Sequence, residues 1–215
     1  MSATLNHILN TYQLKVGRKQ PIDIPNIGRD LMAQLFNELG FTKGAEVGVE
    51  TGLYSEVLCK AIPNLELFSI DAWLAYGEYR DDIAQDKVDE LYARAVKRLA
   101  PYNAKLIKGL SLDVVKTFED ESLDFVYIDA NHTYEHVYAD VTEWIKKVRR
   151  GGIIAGHDFI RKIVKPGGKS QNNGIIDALI DYTKANKISP WFVLGRKKVI
   201  PGEVRDGARS WMIVK

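Results

Sequence analysis

Leu123-Asp124-Phe125-Val126-Tyr127-Ile128-Asp129-Ala130-Asn131-His132 is the stretch that decides the fold. Four apolar residues in a row, 125–128, end on an acid and then on a polar turn. A strand buried on both faces of a parallel sheet reads as such a continuous apolar run. A carboxylate delivered to its C-terminal end is how open α/β sheets build ligand sites. Gly152-Ile153-Ile154-Ala155-Gly156 ends in the same way, on His157-Asp158. Ala45-Glu46-Val47-Gly48-Val49 runs into a third polar turn, Glu50-Thr51-Gly52.

Working outward, the hydrophobic period alternates between strand and helix. Leu31, Leu35, Phe36 and Leu39 recur at helical spacing, and Gly40 follows as a C-cap. A helix over 54–61 is stopped by Pro63, and a strand over 65–70 ends on Asp71. A polar, aromatic segment (72–80) precedes a long helix expected over 81–100. Next come a strand at 104–108, a short helix near 112–118, and the strand that opened this section. A helix over 134–148 then carries Val137, Val141, Trp144, Ile145 and Val148 on one face. This βαβα order predicts an α/β fold, a Rossmann-like three-layer αβα sandwich. After a loop at 165–168 and a helix over 174–185, strands at 191–194 and 211–214 have no helix between them. They are expected to close a mostly parallel seven-stranded sheet with a terminal antiparallel hairpin. Pro21 and Pro25 leave the first 26 residues as an extended arm, and the whole of 1–215 reads as one domain.

Composition excludes several classes. Hydrophobic residues make up 46% and charged residues 27%, ordinary values for a globular protein. The net charge of +2 is too small to argue for nucleic acid, and the basic residues at 149–150 and 161–169 read as solvated surface. A single cysteine, Cys59, allows no disulfide within the chain. The first dozen residues lack the pattern of a signal peptide, and no run is long and apolar enough for a membrane span. The expectation is a cytoplasmic protein that acts on a small molecule, with a homo-oligomer compatible with the arm.

The glycine turn narrows the ligand. A dinucleotide fingerprint counted from Gly48 needs glycine at positions held here by Glu50 and Leu53. A glutamate aimed at a pyrophosphate would repel it, so NAD and FAD are disfavoured. Asp71 lies about 20 residues beyond the turn, where an acid takes ribose hydroxyls. Together these point to a nucleoside without phosphates.

At residues 44–159 the chain resembles class I methyltransferases that use S-adenosylmethionine, above all the bacterial and phage group related to macrolide and aminocoumarin sugar O-methyltransferases. The likeness rests on Glu46-Val-Gly48-Val-Glu-Thr-Gly52-Leu-Tyr-Ser55, Ser69-Ile-Asp71-Ala-Trp73 and Lys108-Gly109-Leu-Ser111. Its specific part is residues 122–134 together with Gly151-Gly152-Ile-Ile-Ala-Gly156-His157-Asp158. By that resemblance Glu46, Gly48 and Gly52 shape the methionine side of the cofactor site, and Tyr54 and Ser55 reach its amino or carboxylate group. Asp71 holds the ribose, Trp73 or the Gly109–Ser111 turn packs near the adenine, and Asp129 sits beside the sulfonium. Ala130 departs from the glycine that relatives often carry there.

Methyl transfer asks the protein to align two partners and to help the acceptor lose a proton. Two routes stand open. His132 can act as general base, with Asp129 and Asp158 as its companions. Alternatively Asp129, His157 and Asp158 can hold a divalent cation such as magnesium. His132-Thr-Tyr-Glu135-His136 also matches an inverted zinc-hydrolase pattern, but it begins before a regular helix is expected. A zinc- or iron-dependent enzyme and a non-catalytic nucleoside-binding module are the rival readings.

Overall fold

The computed structural model describes residues 2–75, 84–164 and 170–215. Its main sheet contains β1 (Ile22–Ile24), β2 (Lys43–Val47), β3 (Glu66–Asp71), β4 (Ala104–Lys108), β5 (Leu123–Ile128) and β6 (Val148–Gly156). A separate small hairpin, β7 (Lys162–Val164) and β8 (Ser170–Asn172), follows before β9 (Phe192–Leu194) and β10 (Trp211–Val214) rejoin the main sheet. The helices are α1 (Ala3–Thr11), α2 (Arg29–Glu38), α3 (Leu53–Ala61), α4 (Gln85–Leu99), α5 (Ser111–Val114), α6 (Tyr134–Lys147) and α7 (Ile175–Ala185). Residues 76–80 of the polar, aromatic segment, the expected start of the long helix at 81 and the loop at 165–168 lie outside the described residues.

The sheet has eight strands in the order β1-β9-β10-β6-β5-β2-β3-β4, not the seven expected. The addition comes from the arm. Two nearby prolines keep it extended, and it lies parallel to β9, with Ile22 opposite Phe192 and Ile24 opposite Leu194. Ahead of it, α1 is a true helix, capped by the Ser2 hydroxyl accepting from the Leu5 amide. The terminal hairpin is present, and β10 runs antiparallel to both β6 and β9.

The apolar run of β5 serves both faces of the sheet. Phe125 and Tyr127 join a core with Phe36, Leu58, Ile153 and Phe192 beneath α2 and α3. Val126 and Ile128 join the opposite core with Val141, Trp144, Ile154 and Leu179 under α6 and α7. All four side chains are 5% exposed or less, so each face excludes water along the strand. Burial of this kind contributes about 25 cal/mol for each Å² of apolar surface removed from water. A polar substitution inside the run would disrupt one of the two cores.

Candidate active site

Strand register sets the site. Val47 of β2 lies opposite Ile70 of β3 and Ile128 of β5, and Ile128 lies opposite Gly156 of β6. The next residue on each strand therefore comes to one edge: Asp71, Gly48, Asp129 and His157. The chain leaves β2 toward β3 and β4, then crosses back to place β5 on the other side of β2. Gly48 and Asp129 thus flank the topological switch point, where open sheets leave a crevice. A cleft of about 550 Å³ opens there, lined by residues from the ends of β2, β3, β4 and β5 and from α2, α4 and α6.

Gly48 has no substitute at this point. Its φ is +94°, and a Cβ would lie 2.1 Å from the Asp129 carbonyl oxygen. The turn that follows is held by Asp71, whose Oδ2 accepts from the Val49 and Glu50 amides at 2.8 Å while Oδ1 accepts from the Trp73 amide at 2.9 Å. The predicted ribose acid thus already fixes the glycine turn. A carboxylate has about four acceptor positions, which leaves Asp71 room for a further donor from the cleft. Trp73 is 2% exposed, donates its indole N–H to the Glu50 carbonyl at 2.9 Å, and packs edge-on against Tyr92. Gly52 caps α3 in the left-handed conformation and abuts Leu99.

Beneath the turn, Glu46 faces the cleft with 2% exposure. Burial pushes its carboxyl up to about 8, against the opposing effect of the Ser55 hydroxyl that donates to it. Ser55 is fully buried, lies 2.8 Å from the Ser69 hydroxyl, and is not among the lining residues. Tyr54 donates its hydroxyl to the Arg29 carbonyl at 2.9 Å, and its ring packs 4.3 Å from that of Tyr127. Its polar end is thereby committed to the start of α2. Arg29, which sequence reasoning missed, lies over the Tyr54 ring and reaches Asp129 at 3.9 Å. It is fixed by Asp206, which accepts from its amide at 2.8 Å.

At the edge of β5 and β6 the predicted catalytic and metal residues meet. His132 Nε2 lies 3.6 Å from Asp129 Oδ1 and 3.3 Å from Asp158 Oδ2. His157 Nδ1 lies 3.1 Å from Asp158 Oδ1 and 3.7 Å from Asp129 Oδ2. Burial disfavours charge on both members of the second pair. Their hydrogen bond and the neighbouring charges outweigh it, holding His157 above and Asp158 below their usual values. Asp129, His132 and Asp158 can bring one ligand atom each within 4.8 Å of one another, a grouping that has His132 where the sequence reading has His157, which itself lies beside both acids. The zinc-hydrolase pattern is not assembled. His132 precedes the N-cap of α6, and His136 turns to the Thr133 hydroxyl at 2.8 Å.

The far end of the cleft is built differently. Ser111 donates to Asp140 Oδ1 at 2.5 Å and accepts from the Trp144 indole at 2.8 Å. Asp140 is 3% exposed, and burial lifts its carboxyl to about 6. Sequence reasoning missed it, though a signal was present: an acid on the apolar stripe of α6 among Val137, Val141 and Trp144. Asn131 also lines the cleft; its Oδ1 accepts from the Thr133 amide, while Nδ2 is buried with no acceptor among the described residues.

Residues 45–159 match the family model described as a methyltransferase domain, and that span covers the glycine turn, Asp71, the histidine–carboxylate cluster and Asp140. The chain belongs to this family. Among curated proteins, an uncharacterised protein of Sinorhizobium fredii is 26% identical to this chain over 119 residues, 53% of this chain but only 12% of that protein. Among solved structures, an O-methyltransferase from Bacillus cereus in complex with S-adenosylhomocysteine matches with a TM-score of 0.59 at 16% identity, covering 100% of this chain and 92% of the other. The O-methyltransferase TomG from Streptomyces achromogenes, in complex with S-adenosylmethionine, matches with a TM-score of 0.58 at 15% identity, over 100% and 90%. At such identities these likenesses speak for the fold.

Proposed function

We propose that this methyltransferase domain uses S-adenosylmethionine to methylate a hydroxyl group on a small molecule. The observation that carries the reading is the charge of the cleft. Glu50, Asp71, Asp113, Asp129 and Asp140 line it, with Glu46 among them held protonated near neutral pH by burial, against Arg29 as the one arginine or lysine among the lining residues described. Such a field opposes a pyrophosphate and favours a positively charged sulfur. The glycine turn at the cleft and the spare acceptor capacity of Asp71 fit a nucleoside beside that sulfur. When bound, the cofactor supplies a methyl carbon already activated for displacement.

The chain's own residues then have three tasks. The glycine turn fixes distance, because it is held to Asp71 by two amide hydrogen bonds and to the sheet by the Gly48 amide donating to Ile70. Asp129, beside the turn, places negative charge next to the sulfur. His132 accepts the proton of the acceptor hydroxyl at Nε2, where Asp129 and Asp158 flank the imidazolium that forms. Asp129, His132 and Asp158 are also the residues that would hold a divalent cation, whose chemistry would be to acidify the same hydroxyl. One nitrogen cannot serve both purposes.

A panel of hydroxyl acceptors, with methyl-donor consumption as the readout, tests the function. Turnover with an acceptor present supports it, and a panel with none counts against it. The same assay with EDTA separates the routes: undiminished turnover leaves His132 as base, and loss restored by magnesium makes it a ligand. With this reading go a single domain over 1–215 and a cytoplasmic site of action. Among the described residues, no helix is long and apolar enough to cross a membrane.

A further inference from the structure

Asn131 carries a buried donor that the chemistry above does not use. The residue is 8% exposed, lines the cleft and directly precedes His132 in the chain. Its orientation is fixed by elimination. A backbone amide can only donate, so the side-chain atom 2.9 Å from the Thr133 amide is the oxygen, Oδ1. The other atom is the donor Nδ2, and it meets no acceptor among the described residues. A buried donor left in this way calls for a partner, and the cleft is where one can enter.

The cofactor offers such a donor little at this place. A positive sulfur repels an N–H group, and ribose hydroxyls fall to Asp71 on β3, across β2 from the end of β5 that leads to Asn131. The acceptor hydroxyl is a better match. Its oxygen has one proton and two lone pairs. In the transfer one lone pair forms the bond to the methyl carbon, the C–S electrons leave with the sulfur, and the proton passes to His132 Nε2. One lone pair is left over, on an oxygen held beside the neighbour of Asn131. An amine nitrogen has a single lone pair, which the new bond consumes, and it would turn an N–H toward Nδ2.

We propose that Asn131 Nδ2 donates to the remaining lone pair of the acceptor oxygen and so selects hydroxyl over amine acceptors. The proposal rests on the hydroxyl-methylating reading above, with His132 as base. A site built to donate one hydrogen bond rejects an analogue that leaves the donor unpaired.

Matched acceptors test it: phenol with aniline, and para-hydroxybenzoate with para-aminobenzoate, aromatic amines that stay neutral near pH 7. The readout is the ratio of kcat/KM, hydroxyl over amine, in the unaltered chain and in Asn131→Leu. That ratio should fall by about 10- to 100-fold in the variant, while calorimetry finds S-adenosylhomocysteine affinity kept within about 3-fold. Asn131→Asp, which still accepts from the Thr133 amide, serves in its place should a thermal melt show the leucine variant unfolded, and the ratio should fall there too. Equal use of hydroxyl and amine by the unaltered protein overturns the proposal, as does a ratio that a folded variant leaves unchanged; in both cases the hydroxyl reading stands. Lost S-adenosylhomocysteine affinity with an unchanged ratio puts the donor on the cofactor and also overturns it. No turnover of any member of the pairs removes both.

Discussion

The two ends of the cleft carry similar numbers of polar groups and use them in opposite ways. At the edge of β5 and β6, Asp129, His132, His157 and Asp158 lie within 3.1–3.7 Å of one another in mixed pairs of acid and imidazole. Protons and charge can be exchanged inside that group without any ligand. At the Ser111 end, Asp140 takes one hydrogen bond, from the neutral Ser111 hydroxyl, and feels His136 only through space. The first arrangement suits chemistry, in which a proton must move. The second suits recognition, in which a fixed acceptor waits for a fixed donor.

The largest expected effect lies between the two ends. Gly48→Ala forces a Cβ against the Asp129 backbone and strains a φ of +94°, so it should abolish S-adenosylhomocysteine binding and lower the melting temperature. Gly109→Ala at the recognition end meets only the tip of the Val114 side chain at 2.7 Å, which can rotate away. Calorimetry on both variants should show loss in the first and retention in the second. Equal behaviour would remove the switch point from its special place.

Next in size is His132→Ala. It should lower kcat by about 10²- to 10⁴-fold while changing S-adenosylhomocysteine affinity by little. The Asp140→Asn variant should show the reverse, with affinity altered and kcat at saturation nearly kept. If both variants alter the same parameter, the division between chemistry and recognition fails.

Asp71→Asn comes third. The glycine turn would keep an acceptor but lose its charge-assisted hydrogen bonds, so stability should fall by about 1–3 kcal/mol in denaturant titration. An unchanged midpoint would mean the turn is held by other contacts.

The smallest effect concerns Glu46, midway along the cleft. Its carboxyl titrates near 8 when folded and near 4.5 when unfolded. Between those values the native state binds more protons, so its contribution to stability declines as pH rises through the window. Glu46→Gln should remove the decline, leaving the variant relatively more stable at pH 8 than at pH 5. Each kcal/mol would appear as roughly 2–4 °C in the melt. A constant difference across that range would contradict the buried, protonated acid.

Strands that end on chemistry were readable from sequence because pattern and polarity change at one residue. Ile128 to Asp129 and Gly156 to His157 are such junctions, and the sheet brings them side by side. Strand β1 escaped because three residues between prolines have no period to detect, and its partner β9 lies far along the chain. Tyr54 and Trp73, expected at the cofactor, line the cleft and Ser55 does not, and the polar atoms of all three bond to Arg29, Glu46, Ser69 and Glu50. A residue beside a binding turn can equally be its scaffold, and spacing alone does not separate the two. Arg29 and Asp140 come from helices whose amphipathic patterns look ordinary. Only tertiary packing turns them toward the cleft, although an acid on the apolar stripe of α6 was a mark that could have been followed.

The central claim is that the crevice between β2 and β5 takes an adenosyl group joined to sulfur and refuses a dinucleotide. Titration calorimetry of the unaltered protein with S-adenosylhomocysteine and with NAD measures this directly. Saturable one-to-one binding of the first and no heat from the second are expected. Binding of NAD, or no binding of S-adenosylhomocysteine, would contradict it.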